Sequence, residues 1–158
     1  MVVSVILTSD ETYLTNFSRD KKAWPLYLTI RNLPSTVRNK PSRLATVLLA
    51  LLPVPPKIGD VTPLVAKQYA GMKADVHHRV LQAILQPLKD VGKDGINIEC
   101  ADFQTHRCFP ILAAWLADHM EYVALYHIKA DSCPVCEVKK DQLGMSLVEL
   151  LVDSRRPV

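Results

Sequence analysis

Val2-Val3-Ser4-Val5-Ile6-Leu7-Thr8-Ser9-Asp10 is a β-branched, apolar run closed by a carboxylate. It reads as a buried strand that delivers Asp10 at its C-terminal end. Ile111-Leu112-Ala113-Ala114-Trp115-Leu116-Ala117-Asp118 repeats the pattern far downstream, with Asp118 in the same relation to its strand. If the two strands are parallel neighbours, both carboxylates leave the sheet at one edge. How the chain between them is organised decides that.

Leu26 to Ile30 alternates as a second strand, and Asn32-Leu33-Pro34-Ser35 ends it with turn chemistry. Ala45 to Leu52 is a third apolar run whose length suits a strand. Pro53 to Pro63 is a proline-rich break. Beyond it Val76, Val80, Leu81, Ile84, Leu85 and Leu88 recur at helical spacing and form one apolar face, with Pro87 expected to kink or end the helix near Gln86. Ile96 to Cys100 and His106 to Phe109 flank a polar turn and read as a hairpin. Met120 to Ile128 is ambiguous, with a short helix as one reading, and Met145 to Val152 has helical spacing.

Three consecutive strands predict an antiparallel meander. A strand after a long helix joins in parallel beside the first by a right-handed crossover. The expected class is α/β, or an α+β mixed sheet with helices on its faces.

With 158 residues and 49% hydrophobic side chains the chain can bury a domain-sized core. A net charge of +3 permits a polyanionic partner without requiring one. The clusters Arg19, Lys21, Lys22 and Arg38, Lys40, Arg43 read as solvated loops. No apolar run is long enough for a membrane helix and no basic leader precedes the first strand, so a soluble intracellular protein is expected. Walker, dinucleotide-binding, serine-hydrolase and zincin motifs are all missing from the sequence.

Asp10 and Asp118 have two readings. Paired carboxylates hold hard divalent cations such as Mg²⁺, and such sites cleave phosphodiesters. An aspartate after a strand also serves as a turn residue or helix N-cap. Cys133-Pro134-Val135-Cys136 is half of a zinc site, a redox pair or two unrelated thiols. His119 and His127 precede it without persuasive spacing. Cys100 and Cys108 lie symmetrically about Gln104 in the hairpin and either face each other or are simply small, partly buried side chains, and His77-His78 reads as surface on the long helix.

Six blocks in order carry a family resemblance: Val2 to Thr12, Pro25 to Pro34, Lys40 to Arg43, Pro87 to Gly95, Arg107 to Leu112 and Cys133 to Cys136. Together they resemble the Plavaka transposases of mushroom-forming fungi, within the DDE group that includes CACTA-like elements. The resemblance implies a partial RNase H-like (retroviral-integrase-like) core over residues 1–144, followed by a divergent helix or tail over 145–158. It implies Asp10 and Asp118 as catalytic Mg²⁺ ligands, Cys133 and Cys136 as Zn²⁺ ligands, DNA as the parent's partner and a nuclear location. Ser4 and Ala117 depart from the usual Pro and Gly. After Gly144 the resemblance fades, and the third carboxylate and zinc histidines it implies do not occur before Val158. The chain is therefore expected to be inactive alone. A non-catalytic DNA- or protein-binding remnant and a gene relic without selected function are the alternatives. Glu149, on the apolar segment Met145 to Val152, reads as a solvated residue on a terminal helix stub, with substitution for the missing acid as the alternative.

Overall fold

The computed structural model describes residues 1–14 and 22–129. The first strand, β1 (Val2–Ser9), buries alternate residues: Val5, Leu7 and Ser9 face inward in sequence. Two are apolar and the third is a hydroxyl, so the core turns polar where the strand ends.

After the short β2 (Thr12–Tyr13) comes β3 (Lys22–Ile30), antiparallel to β1 from Val5↔Ile30 to Ser9↔Leu26. It starts earlier than Leu26 because it runs through Pro25. That proline lies just before the ladder with β1 begins, where a missing N–H costs least. A helical turn, α1 (Ser35–Arg38), leads to β4 (Thr46–Leu52) on the other edge of β3. Leu26 opposes Ala50 and Tyr27 opposes Leu48, so Leu49 is an extra residue that bends the edge.

The long helix, α2, spans Pro63–Asp94. It opens at the end of the proline-rich break, with Thr62 as N-cap and Pro63 where a missing N–H is harmless. Pro87 does not end it. The helix continues to Asp94, held by the packing of Val80, Leu81, Ile84, Leu85 and Leu88 on the core of Val5, Leu7, Trp24, Leu26 and Leu52. Val76, expected on that face, is exposed. A Cβ at Gly92 would lie 2.7 Å from the Pro110 carbonyl oxygen, so the glycine permits close approach of α2 to the strand beneath.

β5 (Ile96–Glu99) and β6 (Thr105–Leu116) form the expected hairpin, but β6 is one strand rather than two. Its first residues pair antiparallel with β5, and from Phe109 it pairs in parallel with β1. Ala113 is skipped between Leu112 and Ala114 in that register, a bulge that adds twist. The final described element is α3 (His119–Tyr126), so the ambiguous segment is a helix. The sheet order is β2-β3-β1-β6-β5, with β4 also on β3: a meander joined by a parallel crossover strand. Among the described residues no helix is long and apolar enough to cross a membrane.

Candidate active site

The parallel register of β1 and β6 reaches Thr8↔Leu116. Asp10 and Asp118 each lie two residues further on, at the same edge of the sheet, although 108 positions separate them in sequence. Both line one open cavity of about 340 Å³. Both side chains are exposed. The alternative reading of Asp118 also holds, since its Oδ1 accepts the Glu121 amide at 2.7 Å and caps α3. Capping fixes one carboxylate oxygen of Asp118 and leaves Oδ2 for another partner.

The side chain that binds these two strand ends together is Glu121, which is only 5% exposed. Its Oε2 accepts the Ser9 hydroxyl at 2.8 Å and its Oε1 accepts the Glu11 amide at 2.7 Å. Ser9 Oγ in turn accepts the Trp115 indole N–H at 3.0 Å. Tyr122 donates its hydroxyl to the Trp115 carbonyl at 2.5 Å. Burial pushes the Glu121 carboxyl above its ordinary range, opposed by the hydrogen bonds from Ser9 and Glu11. Outside the network, Glu11 pairs with Lys22 at 2.6 Å.

Sequence reasoning missed Glu121. The available signal was Asp118-x-x-Glu121, the spacing of a capping box before an apolar run. That spacing locates the helix start. It does not show that the glutamate reaches across to β1 instead of back to its own cap.

A larger cavity of about 960 Å³ adjoins the first and shares Glu11, Lys22 and Trp24 with it. Lys57, Lys67, Lys73, His77 and His127 are among the residues that line it. The surface reading of His77-His78 fails for His77, which is 6% exposed with its ring 4.5 Å from that of Trp24. Its Nε2 is buried and has no hydrogen-bond partner among the described residues. His78 stays outside, with Nε2 2.9 Å from the Leu125 carbonyl oxygen. His127 ends α3 in the left-handed region (φ 51°), its ring 4.5 Å from His78 and 6.3 Å from His77. Burial first, and neighbouring histidine charge second, hold His77 and His127 below the ordinary imidazole value.

Cys133, Cys136 and Glu149 lie outside the described residues. Among the described residues no group of three or more His, Cys, Asp or Glu side chains is arranged to hold a metal ion. Cys100 and Cys108 are free thiols; Cys108 is buried and pairs in register with Ile96 rather than with Cys100.

A mixed sheet with two carboxylates at the paired ends of its first and crossover strands defines an α/β protein with an acidic edge site. The sequence model of the Plavaka transposase family matches residues 1–156, nearly the whole chain, and the chain belongs to that family. No match was found among curated proteins or among solved structures.

Proposed function

We propose that this chain carries the first two catalytic carboxylates of a DNA-cutting and DNA-joining core, with Asp10 and Asp118 as the ligands of a divalent cation such as Mg²⁺. The parallel pairing of β1 with β6 carries this reading, because nothing local brings these two residues together. The residues suit such a cation: two exposed carboxylates line one open cavity, and Asp118 keeps Oδ2 uncommitted by its cap. A bound cation would supply activation of water and stabilisation of the leaving oxygen in phosphodiester cleavage. The protein's own part is to hold the two carboxylates in place and to admit a phosphodiester beside them.

The sheet supports an RNase H-like assignment: an antiparallel meander of β1, β3 and β4, with β6 parallel to β1 and acids after the first and crossover strands. The lysine-lined cavity that opens onto the acidic one is a suitable path for a DNA backbone, since neutralising phosphates is the main source of sequence-independent affinity. That cavity also favours a second reading, in which the chain binds DNA or another acidic partner without cutting it. Cys133 and Cys136 would contribute two of the four ligands of a structural zinc site, so zinc bound through them alone would be weak.

Mn²⁺ titration followed by electron paramagnetic resonance tests the acid pair. Binding by the 158-residue chain that is lost in Asp10→Asn and in Asp118→Asn is the expected result. Equal affinity in all three proteins would refute it. Mg²⁺-dependent nicking of plasmid DNA that is lost in Asp10→Asn would exclude the second reading. The chain by itself is expected to bind DNA without nicking it, since the two-metal reaction draws on a third carboxylate.

A further inference from the structure

We infer that Glu121 is the positioning residue of the acid pair, a role that rests on the reading of Asp10 and Asp118 as cation ligands. The inference comes from where its hydrogen bonds go. The Glu121 carboxylate holds Ser9 through the hydroxyl and Glu11 through the amide, the residues immediately before and after Asp10. Its backbone N–H holds Oδ1 of Asp118. One buried residue therefore fixes the chain on both sides of the first acid and the side chain of the second. The Trp115 indole closes the circuit by donating to Ser9 Oγ from the strand that carries Asp118. Side chains that orient metal ligands are typically worth 10- to 100-fold in metal affinity.

The chemistry asks for a carboxylate here. Two donors converge, one on each oxygen, and a carboxylate presents an acceptor to both. Glutamine keeps one acceptor, which can serve the Glu11 amide, while its NH₂ can donate to Ser9 Oγ. Leucine keeps neither bond at similar size. The Glu121→Gln protein should thus retain much of the geometry and Glu121→Leu should lose it, although neither substitution touches Asp10 or the Asp118 side chain.

The test is Mn²⁺ affinity of the full 158-residue chain, measured by electron paramagnetic resonance at a temperature where circular dichroism shows each variant folded. Relative to wild type, Glu121→Gln should bind within about 3-fold, and Glu121→Leu should weaken at least about 10-fold. Leu88→Ala, which loosens α2 packing without contacting the network, should lower the melting temperature and leave Mn²⁺ affinity unchanged. A merely structural role would put Glu121→Leu with Leu88→Ala, and that result overturns the inference. Should Glu121→Leu not fold, Ser9→Ala takes its place. It removes one of the two carboxylate bonds, and wild-type affinity in Ser9→Ala overturns the inference equally. The failure of the acid-pair reading looks different. Mn²⁺ affinity that is indifferent to Asp10→Asn removes that reading and the positioning role with it. Affinity lost in Asp10→Asn but kept in Glu121→Leu removes the positioning role alone.

Discussion

Glu121 and His77 are both buried polar side chains beside Trp24, and the fold treats them in opposite ways. Glu121 has a donor for each of its acceptor oxygens: the Ser9 hydroxyl on one and the Glu11 amide on the other. His77 packs against Trp24 with the ring centroids 4.5 Å apart, yet its Nε2 is buried without a partner among the described residues. The first joins two strand ends that carry acids. The second lines the neighbouring lysine-rich cavity. A buried polar group with its bonds satisfied holds structure together, whereas one without them costs free energy. Where such a cost falls in a cavity wall, the wall is a reasonable place to look for a ligand.

The largest effect expected from breaking this contrast is on the Glu121 side. Glu121→Ala leaves the Ser9 hydroxyl and the Glu11 amide without their acceptor and should destabilise the fold by about 3 kcal/mol in urea denaturation. A loss under about 1 kcal/mol would mean that water replaces the carboxylate at no cost. Asp118→Ala removes the α3 cap and should cost about 1 kcal/mol, while Asp118→Asn, which can still cap, should cost only a few tenths. The pair of measurements separates the capping role of Asp118 from its charge.

His77→Phe should change stability at neutral pH by less than about 1 kcal/mol, because the ring contact with Trp24 survives and no hydrogen bond of Nε2 is lost. Its clearer signature is in acid. His77 is held below the ordinary imidazole value of 6.5, so the unfolded chain takes up the proton first and stability falls as pH drops below that value. His127 and His78 face it and add to the shift. His127 contributes in the same direction, with Lys73 also opposing its charge and Asp75 favouring it. His77→Phe should therefore reduce, without abolishing, the loss of melting temperature between neutral pH and about pH 5. An unchanged slope would assign the acid sensitivity elsewhere. The smallest effect is expected at Asp10, which is exposed: Asp10→Asn should alter stability by no more than about 0.5 kcal/mol while removing Mn²⁺ binding.

Much of the fold was legible because it rests on period and punctuation. The alternation of β1 and the apolar run of β4 have local causes, and so does the i, i+4 face of α2. The helix limits were less legible. Pro87 is a helix breaker by local chemistry, but Val80 to Leu88 pack on the sheet and that burial outweighs it. His106 to Phe109 and Ile111 to Leu116 read as separate strands for a related reason: β6 changes partner between Cys108 and Phe109, from β5 to β1, without leaving the sheet. Within the site, Asp10 and Asp118 were visible by position after their strands. Glu121 was not, because its spacing from Asp118 describes a helix cap while its partners are 110 and 112 residues away.

The sequence by itself determined the strand and helix segments, the two acids at strand ends and the six ordered blocks of family resemblance. These depend on residues near one another in the chain, where propensity, alternation and turn chemistry act. Tertiary structure alone decided that the acids share one edge, that Glu121 fastens them and that His77 is buried rather than exposed. Each of these depends on which strand lies beside which and on what α2 and α3 cover, and such contacts arise only when the chain closes over long separations to bury its apolar faces.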